Sequence, residues 1–154
     1  MIKKLINVNE NPEFFDFAIE TIFSEWGDGN IDHLNKKKEK LKNAPNQNCY
    51  VLLIDNVPVG CFVVCENDIK GYPGFNPNLA CVCIAKQYRG KGYANYLLTM
   101  ANEIFLKLNI KEAYLKTTLN NFYEKFGWSF VKNIVVENNV EKLYHKNFLK
   151  NKNV

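Results

Sequence analysis

Cys81-Val-Cys-Ile-Ala-Lys-Gln-Tyr-Arg-Gly-Lys-Gly-Tyr-Ala94 carries an apolar strand pattern through Arg89, Gly90 and Gly92 straight into an amphipathic helix. Gly90 and Gly92 lack a Cβ, so the backbone can take positive φ there and come close to a ligand. The first amides of the following helix have no intrahelical acceptor, and with the positive end of the helix dipole they make a site for a phosphate. Ala94, Leu97, Leu98, Ala101, Ile104, Phe105 and Leu108 recur at three- and four-residue steps, which predicts a helix packing one apolar face on a sheet. Two familiar phosphate loops do not fit. Gly90-Lys-Gly-Tyr-Ala-Asn95 lacks the third glycine of the dinucleotide fingerprint, and no Gly-Lys-Ser/Thr ending supplies the magnesium-linked hydroxyl of a nucleoside triphosphate loop.

Outward from that stretch the elements follow at short spacing, without linker, repeat or low-complexity block. Residues 2–8 predict a first strand. Asn11 is positioned to cap a helix with Pro12 at its first turn, and Phe14, Phe15, Ala18, Ile19, Ile22, Phe23 and Trp26 form its apolar face until Gly27-Asp-Gly29 breaks it. A second helix spans residues 31–42, followed by a loop at 45–48 and strands at 49–54 and 58–66 joined by the turn Asp55-Asn56. Residues 111–117 have β-branched, alternating character and read as another strand. The stretches 128–136 and 140–148 flank Glu137-Asn-Asn139 and predict a closing antiparallel hairpin. The expected architecture is a mixed, mostly antiparallel α/β sheet with flanking helices: strand, two helices, three strands, helix, strand, short helix, two strands. A chain of 154 residues, 47% apolar and 14% aromatic, suits one globular domain over residues 1–154.

Net charge is +4, with Lys36, Lys37, Lys38, Lys40 and Lys42 in one helix and Lys146, Lys150 and Lys152 toward the end. A solvated helix face and a basic tail account for them, and with no DNA- or RNA-binding motif a nucleic-acid partner is not expected. Cys49, Cys61, Cys65, Cys81 and Cys83 are odd in number, lie inside strand patterns and include no Cys-x-x-Cys pair. They read as reduced core residues, with neither a metal nor a disulfide framework. Met1-Ile-Lys-Lys-Leu-Ile-Asn7 lacks the apolar core of a signal peptide and no apolar run is long enough to cross a bilayer, so a cytoplasmic protein without a membrane partner is expected.

Arg89-Gly-Lys-Gly-Tyr-Ala94 resembles the pyrophosphate loop of the GNAT family of N-acetyltransferases, whose pattern is Arg or Gln, two residues, Gly, one residue, then Gly or Ala. Arg89, Gly92 and Ala94 fit; Gln87, Gly90 and Gly92 fit as well, but the first register sets the loop at the helix start and is adopted. Three other stretches strengthen the resemblance. Pro77-Asn-Leu-Ala-Cys-Val-Cys-Ile84 looks like the family's central strand, Lys111-Glu-Ala-Tyr-Leu-Lys-Thr117 like the next, parallel one, and Asn121-Phe-Tyr-Glu-Lys-Phe-Gly-Trp128 like the second signature. The family's fold agrees with the order of elements above.

The resemblance implies acetyl transfer from the thioester of acetyl-CoA to an amine. That chemistry needs the co-substrate held, the oxyanion stabilised, the amine neutral and the departing thiolate protonated. Holding falls to backbone amides from Arg89, Gly90, Lys91, Gly92, Tyr93, Ala94 and Asn95, with side-chain charge from Arg89 and Lys91. Val82, Cys83 and Ile84 offer backbone groups to pantetheine and one amide to the oxyanion. Asn120, in the short loop Thr117-Thr-Leu-Asn-Asn121, stands in for an asparagine that many members place against pantetheine. Tyr123 is the implied general acid, a phenol that is protonated at neutral pH. An amine arrives protonated, so Glu66 or Asp68, where the third strand ends, is a candidate general base; each could equally be a solvated loop carboxylate. Glu25, Asp28 and Asp32 could attract a cationic acceptor or simply face water. His33 and His145 receive no role.

Two other readings stay open on sequence alone: a non-catalytic acyl-CoA-binding domain on the same fold, and a basic nucleic-acid-binding domain using the glycine loop on backbone phosphate. The acceptor, small molecule or protein, has no readable motif. The oligomeric state has none either, and a homodimer is left open.

Overall fold

The computed structural model describes residues 1–42 and 48–148. Strands and helices follow as β1 (Lys3–Asn7), α1 (Phe15–Trp26), α2 (Ile31–Lys42), β2 (Asn48–Ile54), β3 (Val57–Cys65), β4 (Asn78–Ile84), α3 (Tyr93–Lys107), β5 (Glu112–Thr117), β6 (Ser129–Val136) and β7 (Asn139–Asn147). Single 3-10 turns at Pro12–Phe14, Lys86–Tyr88 and Tyr123–Phe126 complete the order, which is the expected one. The expected loop at 45–48 lies outside the described residues except for Asn48, which opens β2, and Lys150 and Lys152 lie outside them too.

The strands form a seven-stranded sheet in the order β1-β2-β3-β4-β5-β7-β6. β1 with β2, β5 with β7, and β6 with β7 are antiparallel, whereas β4 and β5 run parallel and meet at Asn78↔Tyr114. The hairpin turns carry the predicted chemistry. Asp55 and Asn56, and again Glu137 and Asn138, take positive φ, the pairing that a two-residue turn needs to match strand twist.

The chain divides into two compact units. The first, Met1–Val63 with Cys81–Leu97, has a core of Ile6, Val8, Ala18, Ile22, Val51, Leu53, Cys61 and Cys83. Helix α1 contributes Ala18, Ile19 and Ile22 at helical spacing, as its periodicity requires. Asn11 does not cap it. The chain enters α1 through the Pro12–Phe14 turn, and the Asn11 side chain instead donates to the Asn7 carbonyl at 2.9 Å. Trp26, expected on the buried face, is 57% exposed where Gly27 ends the helix.

The second unit, Val64–Ala80 with the chain from Leu98 onward, has a core around Ile69, Ile134, Val136 and Leu143 and an aromatic cluster of Phe105, Trp128 and Phe148. Asn78, fully buried, is the polar centre of this unit. Its Oδ1 accepts the Asp68 N–H at 3.0 Å, and its Nδ2 donates to the carbonyls of Phe75 at 2.8 Å and Tyr114 at 3.3 Å. One side chain thus fixes the start of β4, the adjoining β5 and the loop carrying Asp68. The same loop is closed by Asn67 and Asn76, which exchange hydrogen bonds at 2.6 and 3.0 Å.

Lys146, grouped with a basic tail in the sequence reading, is a β7 residue only 8% exposed. Its position follows from strand alternation: Tyr144 and Lys146 share one face of β7, and Phe148, just past the strand's end, is buried too.

Asn78→Ala is expected to strand one buried N–H and two carbonyls. At about 1 to 3 kcal/mol for each group left unpaired, the loss should be several kcal/mol. Chemical denaturation of the variant against the parent measures it; a change below ~1 kcal/mol would mean that the three bonds are replaced by water without cost.

Candidate active site

The candidate residues fall into both units, and each group is built within its own. In the first unit, β4 is bent at Cys81, whose φ of +54° puts a non-glycine residue in the left-handed region inside a strand. Such a conformation costs on the order of 1 to 3 kcal/mol and has to be held by the packing around it. It re-aims the backbone of Val82, Cys83 and Ile84 just before the glycine turn. Cys83 is buried, while Val82 and Ile84 are partly so.

Gly90 and Gly92 then take φ of +80° and +78°, and the space where a Cβ would project is open at both. Helix α3 begins at once with Tyr93, so its first amides follow directly on the glycine pair; that of Asn95 is taken by the Gly92 carbonyl at 3.2 Å. Arg89, Lys91 and Asn95 are exposed, and Tyr93 and Ala94 are partly buried. A glycine pair at positive φ, an open cradle and a helix start suit an anionic phosphate group.

Arg89 differs from the expected free cation. Its guanidinium pairs with Glu25 at 2.6 Å, its Nε donates to the Ile84 carbonyl at 2.9 Å, and Nη2 lies 3.8 Å from Cys83 Sγ. The side chain is folded back onto β4 and α1. Beside it, Thr21 and Ser24 of α1 with Cys83, Lys86, Gln87 and Arg89 line a cavity of ≈170 Å³. Asp28 pairs with His33 at 2.5 Å, and the Asn30 amide and His33 together hold its carboxyl below the usual range. Asp32 is exposed.

In the second unit, Tyr123 opens the 3-10 turn Tyr123–Phe126 and is 7% exposed. Burial pushes its phenol up to about 12, so it is protonated at neutral pH. Its ring packs edge-on against Phe122 and 6.0 Å from that of Tyr144. The turn ends at Gly127, φ +87°, and is held from several sides: Tyr144 Oη donates to Glu124 at 3.0 Å, and both Lys146 Nζ and Asn102 Nδ2 donate to the Phe126 carbonyl.

The two candidate bases separate. Glu66 is exposed at the end of β3. Asp68 is half-buried, and burial raises its carboxyl above the ordinary value although Lys116 pulls it back. Asn120 is exposed in the loop before the Tyr123 turn. His145 pairs with Glu112 at 3.1 Å. Among the described residues no group of three or more His, Cys, Asp or Glu is arranged to hold a metal ion, and no helix is long and apolar enough to cross a membrane.

Sequence reading missed the Arg89–Glu25 pair, the bend at Cys81 and the burial of Lys146. Only the last had a signal, a lysine at an inward position between Tyr144 and Phe148.

A family model for the acetyltransferase (GNAT) domain matches residues 45–129. A search of curated proteins found no match. Among solved structures, an aminoglycoside 6'-N-acetyltransferase complexed with coenzyme A superposes with a TM-score of 0.72 at 16% identity, covering 96% of this chain and 97% of that one. Spermidine/spermine N-acetyltransferase SpeG from Vibrio cholerae gives 0.71 at 20% identity, covering 98% and 95%. At these identities the structural likeness speaks for the fold, and the family model speaks for the descent. The match takes in the bent strand, the glycine turn, the whole of α3 and the Tyr123 turn, more than half of the sequence: the chain belongs to the GNAT acetyltransferase family and is an N-acetyltransferase.

Proposed function

We propose that residues 1–154 act as one domain that transfers the acetyl group of acetyl-CoA directly to an amine in a ternary complex. The observation that carries this reading is the open left-handed cradle at Gly90 and Gly92 set against the first turn of α3. It fits a pyrophosphate, and the coenzyme A bound by the aminoglycoside acetyltransferase of the same fold supports that ligand. Acetyl-CoA supplies the activated acyl group and a thiolate leaving group.

This chain's residues then have separate tasks. Amides of Gly90, Lys91, Gly92, Tyr93 and Ala94 hold the pyrophosphate, with Lys91 adding charge; the Asn95 N–H, expected among them, instead closes the first turn on the Gly92 carbonyl at 3.2 Å. Arg89 keeps the loop in register through Glu25 and the Ile84 carbonyl rather than reaching out with its own charge. Backbone groups of Val82, Cys83 and Ile84, re-aimed by the bend at Cys81, face the pantetheine arm and the carbonyl oxygen that becomes negative, and Asn120 flanks the arm. Tyr123 gives its proton to the departing thiolate, and the tyrosinate left behind regains one from water; a phenol held at about 12 is neutral and protonated at pH 7. Asp68, better suited than the exposed Glu66, takes the proton of the incoming ammonium directly or through water.

The acceptor is an amine, and the activities of the structural neighbours make aminoglycosides and polyamines the first to try. A reducing compartment such as the cytoplasm suits five cysteines that are all thiols. The deciding experiment is a thiol-release screen with acetyl-CoA across aminoglycosides, polyamines, amino acids, peptide N-termini and peptide lysines. Amine-dependent release supports the reading, and none across the whole panel, with coenzyme A still bound, would sink it.

Four variants test the parts. Gly92→Val strains the turn and fills the cradle, so acetyl-CoA affinity by calorimetry should fall about tenfold or more, roughly 1.4 kcal/mol; unchanged affinity in a folded variant moves the site elsewhere. Tyr123→Phe should keep that affinity within a few-fold yet lower kcat about 10²-fold. Normal turnover would leave the ring a packing role only. The carboxylate form of Asp68 is the active one, so kcat/KM should rise with pH as it ionises, above the ordinary carboxylate range. Asp68→Asn should lower activity at neutral pH and move that limb toward the acceptor's own pKa, while Glu66→Gln should leave it in place. An unchanged limb in Asp68→Asn removes Asp68 from the reaction.

A further inference from the structure

The Tyr123–Phe126 turn is short, and a single 3-10 turn has little stability of its own. Its backbone closes through Gly127 N–H on the Glu124 carbonyl and Trp128 N–H on the Tyr123 carbonyl, both at 3.2 Å. The Phe126 carbonyl points out of the turn, and Lys146 meets it. Nζ donates to that oxygen at 2.6 Å, a short, charge-assisted bond. Asn102 reaches the same oxygen only at 3.4 Å.

Three features make this contact specific. Lys146 is 8% exposed, and burial lowers its affinity for its proton. A Cβ at Gly127 would fall on Lys146 Nζ, so the bare glycine is what admits the ammonium beside the turn. The partner of Lys146 across β5 is Ala113, whose small side chain leaves room for the long stem. For folding alone the position favours an apolar residue, as Tyr144 and Phe148 are on either side, because a buried ammonium loses hydration that one carbonyl only partly returns. The ammonium at the C-terminal end of the turn also offsets the partial negative charge gathered there.

We propose that Lys146 is a positioning residue for the reaction: held on the Phe126 carbonyl, it fixes the turn that aims the Tyr123 phenol. This rests on the reading of Tyr123 as the acid. Tyr144 shares the work, with its ring against that of Tyr123 and its hydroxyl on Glu124. β7 therefore presents a two-point clamp, Tyr144 on the second residue of the turn and Lys146 on the last.

The experiment is a double-variant cycle on the full chain, read as kcat and KM for acetyl-CoA with a reactive amine from the screen. Lys146→Met keeps the stem and removes the donor; it should lower kcat about tenfold or more with KM within about threefold. Lys146→Arg keeps donor and charge and should recover most of that loss. In the Tyr123→Phe background Lys146→Met should cost less than about twofold further, because the group it aims is gone. Thermal melts establish that each variant is folded, and Lys146→Leu replaces a Met variant that is not. Full activity in the neutral variant, or a full tenfold loss repeated in the Tyr123→Phe background, overturns the proposal while leaving Tyr123 as the acid. If Tyr123→Phe alone has normal turnover, the acid reading falls and the role of Lys146 falls with it.

Discussion

One fully buried carboxamide, that of Asn78, joins three backbone segments of the second unit. It holds the Asp68 backbone, the loop carbonyl of Phe75 and the β5 carbonyl of Tyr114 at once. The parallel meeting of β4 and β5 at Asn78↔Tyr114 is the point where all three come together. Buried polar groups are costly unless satisfied and specific when they are, so this bond set defines a register that apolar packing alone would leave free to slip.

Charge is used sparingly and close to the backbone. Arg89 and Lys146 both spend their donors on main-chain carbonyls, Ile84 and Phe126, at the ends of segments whose direction matters. Arg89 adds an ion pair to Glu25, which ties the last turn of α1 to the loop following β4. By contrast the lysines of α2 behave as a surface face: Lys38 pairs with Glu20 at 3.0 Å and Asp16 at 3.6 Å, contacts of the exposed kind that contribute little to stability. Net charge therefore says less about this molecule than where each cation is held.

Most of the fold was legible because it rests on local chemistry. The two hairpin turns follow from Asp55-Asn56 and Glu137-Asn138, which tolerate positive φ, and the helices from three- and four-residue spacing and glycine stops. The positive φ of Gly90 and Gly92 and the helix that starts at Tyr93 were legible for the same reason. What escaped depends on neighbours distant in sequence. Glu25 and Arg89 are 64 residues apart, and Lys146 finds its acceptor 20 residues back. A positive φ at Cys81 is imposed by packing, since cysteine has no preference for it. Asn11 had the right type and place for a cap, but the Asn7 carbonyl outcompeted the helix for its side chain.

The cysteines acquire a different meaning beside a thioester. Exchange of an acyl group between sulfurs requires a thiolate, and burial holds the thiols of Cys49, at about 12, and Cys61 well above their ordinary range; it also raises Cys83, on the strand nearest the cradle, against the pull of Arg89. At neutral pH these sulfurs are poor nucleophiles. Cys49, Cys61 and Cys83 thus remain thiols that compete poorly with an amine for an activated acyl group.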